Sequence, residues 1–271
     1  MFEFSKKTRL YVNILGIPLI IFSIFSSFFF PLLIAVILYF CSIEYAAIVN
    51  RIGGNINRWL LLILNMFILI NSIYSFSYLI AILTFFFIFL FLNEIIFSKD
   101  PDPINCAYYF IGVFWIGYAL SASLYEIRNL EYGIFFTLML FVGIWICDTA
   151  AYIMGSKFGN RKILEKISPN KTYMGCVSGL VGSVVVVFTF YYYHQSYIID
   201  FSLNMLDICI ISMIIGFIGQ IGDFAESLFK RKANVKDTSN ILMGHGGFLD
   251  RFDSISFSAP IFYVYIQYLV I

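Results

Sequence analysis

The 271 residues of this chain are 61% hydrophobic and only 12% charged. This composition excludes an ordinary water-soluble globular protein, in which about 25% of residues are charged. The net charge of +1 provides no overall field for nucleic acid, so we expect no nucleic-acid partner. Cysteines occur singly with no CxxC pair, and we interpret them as packing residues rather than as ligands or disulfides.

Apolar runs recur along the whole chain, with lengths near the roughly 20 residues needed to cross a membrane. They predict an all-α, polytopic integral membrane protein with about nine transmembrane helices. The count becomes eight if the third and fourth runs form one tight hairpin. The predicted spans are Leu10–Ser26, Phe29–Val49, Trp59–Ile70, Phe76–Leu92, Asn105–Leu124, Tyr132–Cys147, Gly175–Tyr193, Leu206–Gly222 and Ser254–Ile271.

Residues 1–271 are predicted to form a single integral membrane domain. The helices of residues 1–104 are less diagnostic, whereas residues 105–271 contain the helices and loops with the candidate catalytic motifs. If the N-terminus is cytoplasmic, every Lys and Arg except Arg128 lies on that side, in agreement with the positive-inside rule. The two long polar loops, Asp148–Thr172 and Asp223–Asp253, then face the cytoplasm. We therefore predict a polar active site on the cytoplasmic face of the inner membrane.

Charge is concentrated on the helix that leads into the second loop. Asp223, Glu226, Ser227 and Lys230 are spaced so that they share one helix face. An apolar run precedes them and places Asp223 at or below the membrane surface, where a carboxylate needs a partner or a metal. A solvated helix end with one salt bridge is the alternative. Glu44, late in the second span, either faces a polar cavity together with these residues or extends to the membrane interface.

The end of the second loop combines a glycine-rich turn with two carboxylates. Glycines around His245 allow a sharp turn or the close approach of a ligand, and exposed amides can hold phosphate. Asp250 and Asp253 share a face if the last helix begins early. Together with Asp223 they would form a hard-oxygen site suited to Mg²⁺. The basic residues that complement phosphate are Lys230, Arg231, Lys236 and Arg251. Such a combination is typical of phosphoryl or nucleotidyl transfer.

The first polar loop offers groups for a second phosphate contact. Asp148 follows directly on an apolar run, and Ser168 with the following proline can begin a turn. Lys171 and Thr172 could then reach phosphate oxygens. A plain basic cytoplasmic loop is the alternative interpretation.

Residues 227 to 253 closely resemble, at fixed spacing, the signature of the phosphatidate cytidylyltransferase family, also called CDP-diacylglycerol synthases. The matching positions are Ser227–Arg231, Lys236, Asp237, Ser239, Leu242, His245–Phe248 and Asp250–Asp253. Upstream, Asp148–Tyr152, Phe158, Gly159 and Ser168–Thr172 are also similar to that family. Met243, Tyr173 and Met174 depart from the pattern, and we assign no role to Met174.

The resemblance implies that CTP and phosphatidic acid react to give CDP-diacylglycerol and pyrophosphate. It implies Mg²⁺, a second cation at the same centre for which K⁺ is a candidate, and a homodimer. The metal ligands carried over are Asp223, Asp250 and Asp253. The implied catalytic residues are Asp223, Ser227, Lys230, Arg231, Asp250 and Asp253. The implied substrate-binding residues are Asp148, Ser168, Lys171, Thr172, Lys236, Asp237, His245, Gly246, Gly247 and Arg251.

Two other functions are compatible with parts of this pattern. A CTP-dependent polyprenol kinase would use similar metal and phosphate groups but would release CDP. A metal-ion transporter would line a route across the membrane with charges. The predicted outer half of this chain is almost bare of charge, which disfavours transport.

Overall fold

The computed structural model describes residues 2–74, 78–197, 203–242 and 246–270. Within these ranges every named secondary-structure element is a helix, which confirms the predicted all-α class. The helices are α1 (Phe2–Phe25), α2 (Phe29–Arg51), α3 (Arg58–Ile73), α4 (Leu79–Phe97), α5 (Pro103–Gly112), α6 (Ser123–Asn129), α7 (Gly133–Phe158), α8 (Tyr173–Tyr197), α9 (Met205–Met213), α10 (Gly219–Lys232) and α11 (Leu249–Tyr265). Wider π-helical turns join α5 to α6 (Val113–Ala122) and α9 to α10 (Ile214–Ile218) and extend α11 (Ile266–Val270).

Six described helical segments are long and apolar enough to cross a membrane. They are Phe29–Arg51, Leu79–Phe97, Pro103–Asn129, Gly133–Phe158, Tyr173–Ser196 and Met205–Lys232. Two shorter apolar helices cover Ile14–Phe25 and Arg58–Ile73. This content is that of an integral membrane protein, and the full set of nine spans stays a prediction.

Helix α7 is longer than the hydropathy pattern predicts. The predicted span ends at Cys147, whereas the helix continues to Phe158, so Asp148 lies on a helix and not in a loop. The extra turns contain no proline, and the helix ends where the N–H of Gly159 donates to the carbonyl of Gly155 at 3.0 Å. The polar loop is therefore shortened to residues 159–172, because the end of an apolar run does not mark the end of helical hydrogen bonding.

The chain separates into two compact units. Unit 1 consists of Met1–Glu126 and Phe229–Phe252, and unit 2 consists of Ile127–Leu228 and Asp253–Ile271. The single membrane domain over residues 1–271 stays a prediction.

An aromatic cluster forms part of the core of unit 1, where α2 packs against α3 and α5. Tyr45 is fully buried on α2, and its hydroxyl donates to the carbonyl of Tyr108 at 2.8 Å. The rings of Trp115 and Phe229 lie 6.1 and 5.9 Å from the Tyr45 ring. Phe229 precedes Lys230, so this cluster holds the base of that lysine inside unit 1.

In unit 2, small residues allow α7 and α8 to pack closely. A Cβ atom on Gly175 would lie 2.8 Å from the carbonyl oxygen of Ala151 and 3.3 Å from the Cα of Gly155. Such close approach is typical of helices that associate in lipid. The close packing of α7 and α8 fixes both ends of the loop formed by residues 159–172, which contains Lys171.

Candidate active site

Three acidic side chains of unit 2, here called the carboxylate cluster, lie together: Asp223, Glu226 and Asp253. Asp223 and Glu226 are one turn apart on α10, and Asp253 lies on α11. Each offers a carboxylate oxygen, and these oxygens all lie within 4.8 Å of one another. Glu226 and Asp253 are buried, whereas Asp223 is half-buried. The cluster could therefore hold a cation that approaches from the side of Asp223.

Gly222 allows the two helices of the cluster to approach each other. A Cβ atom at this position would collide with the carbonyl oxygen of Asp253 and would lie 3.1 Å from the Cβ of Phe257. The colliding atom belongs to the backbone, which cannot swing aside as a side chain can. The absence of a side chain at Gly222 therefore brings Asp223 and Asp253 together.

Lys171 supplies positive charge to the cluster. Its Nζ lies 2.6 Å from Oδ2 of Asp223 and 4.1 Å from the centre of the Phe224 ring. The lysine backbone is held as well, because its carbonyl accepts from the N–H of Ile163 at 3.2 Å. Lys171 neutralises negative charge at Asp223, and a divalent cation would bring further positive charge to the cluster.

The other residues of unit 2 that are predicted to bind substrate or to act in catalysis differ in burial and in hydrogen bonding. Thr172 is buried, and its hydroxyl caps α8 by accepting from the N–H of Gly175 at 3.1 Å. Ser168 stands in the turn before Lys171, where its N–H donates to the carbonyl of Leu164 at 2.8 Å. Asp148 is exposed on α7. The Ser227 hydroxyl lies 3.4 Å from Oδ1 of Asp223. The predicted substrate contacts of Asp148, Ser168 and Thr172 stay predictions.

Asp250 contacts the described parts of the α10–α11 loop (residues 233–242 and 246–248) in unit 1. Its Oδ1 pairs with Nζ of Lys230 at 2.6 Å. Its Oδ2 accepts from the backbone N–H and the hydroxyl of Thr238, at 2.9 and 2.7 Å, and from the N–H of Gly247 at 2.7 Å. Helix α11 begins at Leu249, early enough to contain both Asp250 and Asp253 as the sequence analysis required. The metal-ligand role of Asp250 stays a prediction, because the observed partners are a cation and loop donors.

The remaining predicted residues lie in or beside this loop. A guanidinium nitrogen of Arg231 donates to the carbonyl of Val235 at 3.2 Å. Gly246 has a φ of +81°, a left-handed conformation that favours glycine. Lys236, Asp237 and Arg251 are exposed. His245, which is predicted to bind substrate, lies outside the described residues.

The comparison with known proteins covers nearly the whole chain. Residues 7–269 match the family model described as the cytidylyltransferase family. The chain belongs to this family.

Individual cytidylyltransferases in this family are similar over shorter stretches. The phosphatidate cytidylyltransferases of Staphylococcus haemolyticus and Staphylococcus saprophyticus are 36% and 37% identical over 174 residues, which is 64% of this chain and 64% of each relative. That of Haemophilus influenzae is 36% identical over 140 residues, 52% of this chain and 48% of the relative. The chain thus covers less than two thirds of the length of these relatives.

The carboxylate cluster has the kind of ligand atoms that suit Mg²⁺. Its members offer carboxylate oxygens, the hard ligands that this ion prefers. Sequence reasoning placed Glu226 on the same helix face as Asp223 but did not count it as a ligand. The signal was present, since acids at i and i+3 on a helix project together.

Replacement of Gly222 by alanine should disrupt the cluster. The added methyl group must push α10 away from the backbone of Asp253, and a displacement of that kind typically lowers kcat/KM by roughly 10- to 100-fold. The measurement is transfer of label from α-labelled CTP by purified protein, the reaction that membership of the cytidylyltransferase family leads us to expect.

Gly219→Ala is the matched control for this variant. It lies one turn earlier on α10, and its new Cβ would lie 3.1 Å from Oγ of Ser258 and 3.6 Å from Cβ of Ser254, which are side-chain atoms. We expect near-normal transfer. Equal activity in the Gly219 and Gly222 variants would contradict the role assigned to Gly222.

Proposed function

We propose that the chain transfers a cytidylyl group from CTP to phosphatidic acid, with CDP-diacylglycerol and pyrophosphate as products. The observation that carries this proposal is the cytidylyltransferase match over residues 7–269, which includes all the polar groups described above. The similar proteins of Staphylococcus haemolyticus and Haemophilus influenzae are phosphatidate cytidylyltransferases, which supports the choice of lipid substrate.

In the proposed reaction, an oxygen of the lipid phosphate attacks the α-phosphorus of CTP. A bond forms between that oxygen and the α-phosphorus, and the bond from the α-phosphorus to the oxygen that bridges to the β-phosphorus breaks. Pyrophosphate leaves with the electron pair. The lipid phosphate has a second ionisation near pH 6, so no general base is required to create the nucleophile. The main barrier is repulsion between two anionic substrates, which positive charge in fixed positions reduces.

We assign the metal to the carboxylate cluster. Asp223, Asp253 and Glu226 would hold Mg²⁺, which neutralises charge on the phosphates when it is bound. Glu226 is added to the ligands implied by the resemblance, and Asp250 remains a candidate. The second cation, K⁺ or another, and the homodimer are expectations that rest on the resemblance.

Cationic side chains are proposed to bind the substrate phosphates. Lys230 and Arg231 follow the cluster on α10, and Lys236 and Arg251 are exposed in and after the α10–α11 loop. Lys171 would exchange its partner Asp223 for a phosphate oxygen when a cation occupies the cluster. Guanidinium groups are well matched to phosphate because they donate two parallel hydrogen bonds.

The lipid substrate supports a location in the cytoplasmic membrane. Phosphatidic acid keeps its acyl chains in the bilayer, while its headgroup lies at the surface where CTP arrives. The excess of lysine and arginine on one predicted side favours the cytoplasmic face for the site.

The first test is an assay of purified protein in detergent with phosphatidic acid, α-labelled CTP and Mg²⁺. We expect label to enter the lipid extract, to be lost with EDTA, and to fall at least about 100-fold in Asp253→Asn, because the cluster then lacks a carboxylate charge. Asp100→Asn, at an exposed acid between α4 and α5, is the control and should retain wild-type transfer.

Other outcomes of the assay identify the alternatives. Release of CDP with transfer of γ-label to a polyprenol would indicate a lipid kinase. Absence of both transfers, together with ion flux in vesicles, would indicate a transporter. Full transfer by Asp253→Asn would exclude the cluster as the metal site.

The proposed orientation is tested by labelling with a membrane-impermeant maleimide. Lys157→Cys, exposed at the end of α7, should react only when the cytoplasmic face is accessible. Ser196→Cys, exposed near the far end of α8, should react only from outside, and the unmodified chain gives the background of native thiols. The reverse pattern would overturn the topology.

A further inference from the structure

Glu44 is a lone acid in the apolar helix α2, and its side chain is 2% exposed. It does not extend to water. Its Oε1 accepts from the hydroxyl of Ser239 at 2.6 Å and from the N–H of Phe248 at 3.0 Å. Its Oε2 accepts from the N–H of Leu249 at 2.8 Å and from the hydroxyl of Thr238 at 3.0 Å. Three donors, together with a Thr238 hydroxyl that is shared with Asp250, therefore surround one buried carboxylate, which offsets the cost of removing its charge from water.

These donors belong to two separate parts of the connection between α10 and α11. Thr238 and Ser239 lie in its first half, whereas Phe248 and Leu249 lie at the start of α11. The N–H groups at a helix start have no partner within the helix, and a carboxylate there is also favoured by the helix dipole. Glu44 thus caps α11 from a distant helix and joins the first half of the loop to the start of α11.

Two further contacts join the α10–α11 loop to the face of α2 that contains Glu44. The ring of Phe40 stacks on that of Phe248, with centroids 4.5 Å apart and an interplanar angle of 11°. Phe40 precedes Glu44 by four residues and so shares its helix face. Gly247 lies against the carboxylate, and a Cβ atom there would collide with both oxygens of Glu44 and with the hydroxyl of Thr238. The backbone therefore approaches Glu44 as closely as a glycine allows.

Thr238 connects Glu44 to the predicted catalytic residues. Its hydroxyl lies 3.0 Å from Oε2 of Glu44 and 2.7 Å from Oδ2 of Asp250, and it has one proton to donate between them. Asp250 in turn pairs with Lys230. The contacts connect Glu44 through Thr238 and Asp250 to Lys230. A displacement of Glu44 would therefore also shift Lys230, which is predicted to bind phosphate.

We propose that Glu44 is a positioning residue that holds the α10–α11 loop in the conformation needed for cytidylyl transfer. Its effect on transfer rests on the proposed function, whereas its effect on the loop does not. Glu44 touches no reacting atom in this proposal. It acts through Thr238, Ser239 and the start of α11.

The test compares Glu44→Gln with Glu94→Gln. A glutamine has one acceptor oxygen, so its NH₂ group would face donors that now bind the carboxylate. Glu94 is a buried acid in α4 of the same unit, and it accepts from the N–H of Asp102 and from Asn105 at 3.0 and 2.9 Å, so the control makes the same chemical change away from the loop.

The first measurement is amide hydrogen exchange in detergent. Glu44→Gln should exchange the amides of Phe248 and Leu249 at least about tenfold faster than wild type, with α3 and α5 unchanged, because opening is local. Glu94→Gln should leave these amides unchanged. Unchanged exchange at Phe248 and Leu249, or an equal increase throughout unit 1, would overturn the proposal. If Glu44→Gln fails to fold, Ser239→Ala removes one donor from the loop side and is judged by the same comparison.

The second measurement is a double-mutant cycle on transfer activity. Glu44→Gln should lower kcat/KM at least about tenfold, and Glu44→Gln with Ser239→Ala should be no worse than Glu44→Gln alone, because both changes act on one contact. Multiplicative losses would contradict action through the loop. If the wild-type chain transfers no cytidylyl group, the proposed function fails, and the exchange experiment still decides the role of Glu44.

Discussion

Charge inside an apolar protein must be balanced where it lies, and the arrangement of the polar residues follows from this constraint. An uncompensated buried ion costs several kcal/mol even after relaxation. Glu44 has three donors of its own, Asp250 has Lys230 and two backbone donors, and the two acids share the hydroxyl of Thr238. Asp207 accepts from Tyr265 and from the backbone of Asn204. In the carboxylate cluster the acids also face one another. Lys171 pairs with Asp223, and the N–H of Ser254 donates to Asp253 at 2.6 Å. A cation is the natural complement of such a group.

The helical architecture was predictable because lipid allows few alternatives. A backbone in hydrocarbon must satisfy its own hydrogen bonds, so long apolar runs become helices. The ends of these helices were less predictable. Hydropathy marks where apolar side chains stop, whereas α7 continues through polar residues to Gly159, where the helical hydrogen bonding ends. The π-helical turns between α9 and α10 leave no mark in hydropathy either.

The candidate site was predictable in its residue types but only partly in its contacts. Asp223 and Asp253 were found because acids stood at the ends of apolar runs, and Glu226 was visible on the same face of α10. The partners of Asp250 depend on the path of the α10–α11 loop, which glycines with several accessible conformations do not specify. The role of Glu44 could not be read from the sequence, since 194 residues separate it from Thr238. Its isolation within an apolar helix was the available signal.

The division of unit 1 between two distant parts of the chain has a consequence for biosynthesis. Residues Met1–Glu126 emerge first, and Phe229–Phe252 follow after the first segment of unit 2. At about 5–20 residues per second, Thr238 is made roughly 10–40 s after Glu44. Helix α2 must therefore enter the membrane with an acid whose partners do not yet exist, at a cost below the roughly 3 kcal/mol of a charge at a helix centre. The strongly apolar remainder of α2 offsets this cost and keeps the helix inserted until the α10–α11 loop has been synthesised.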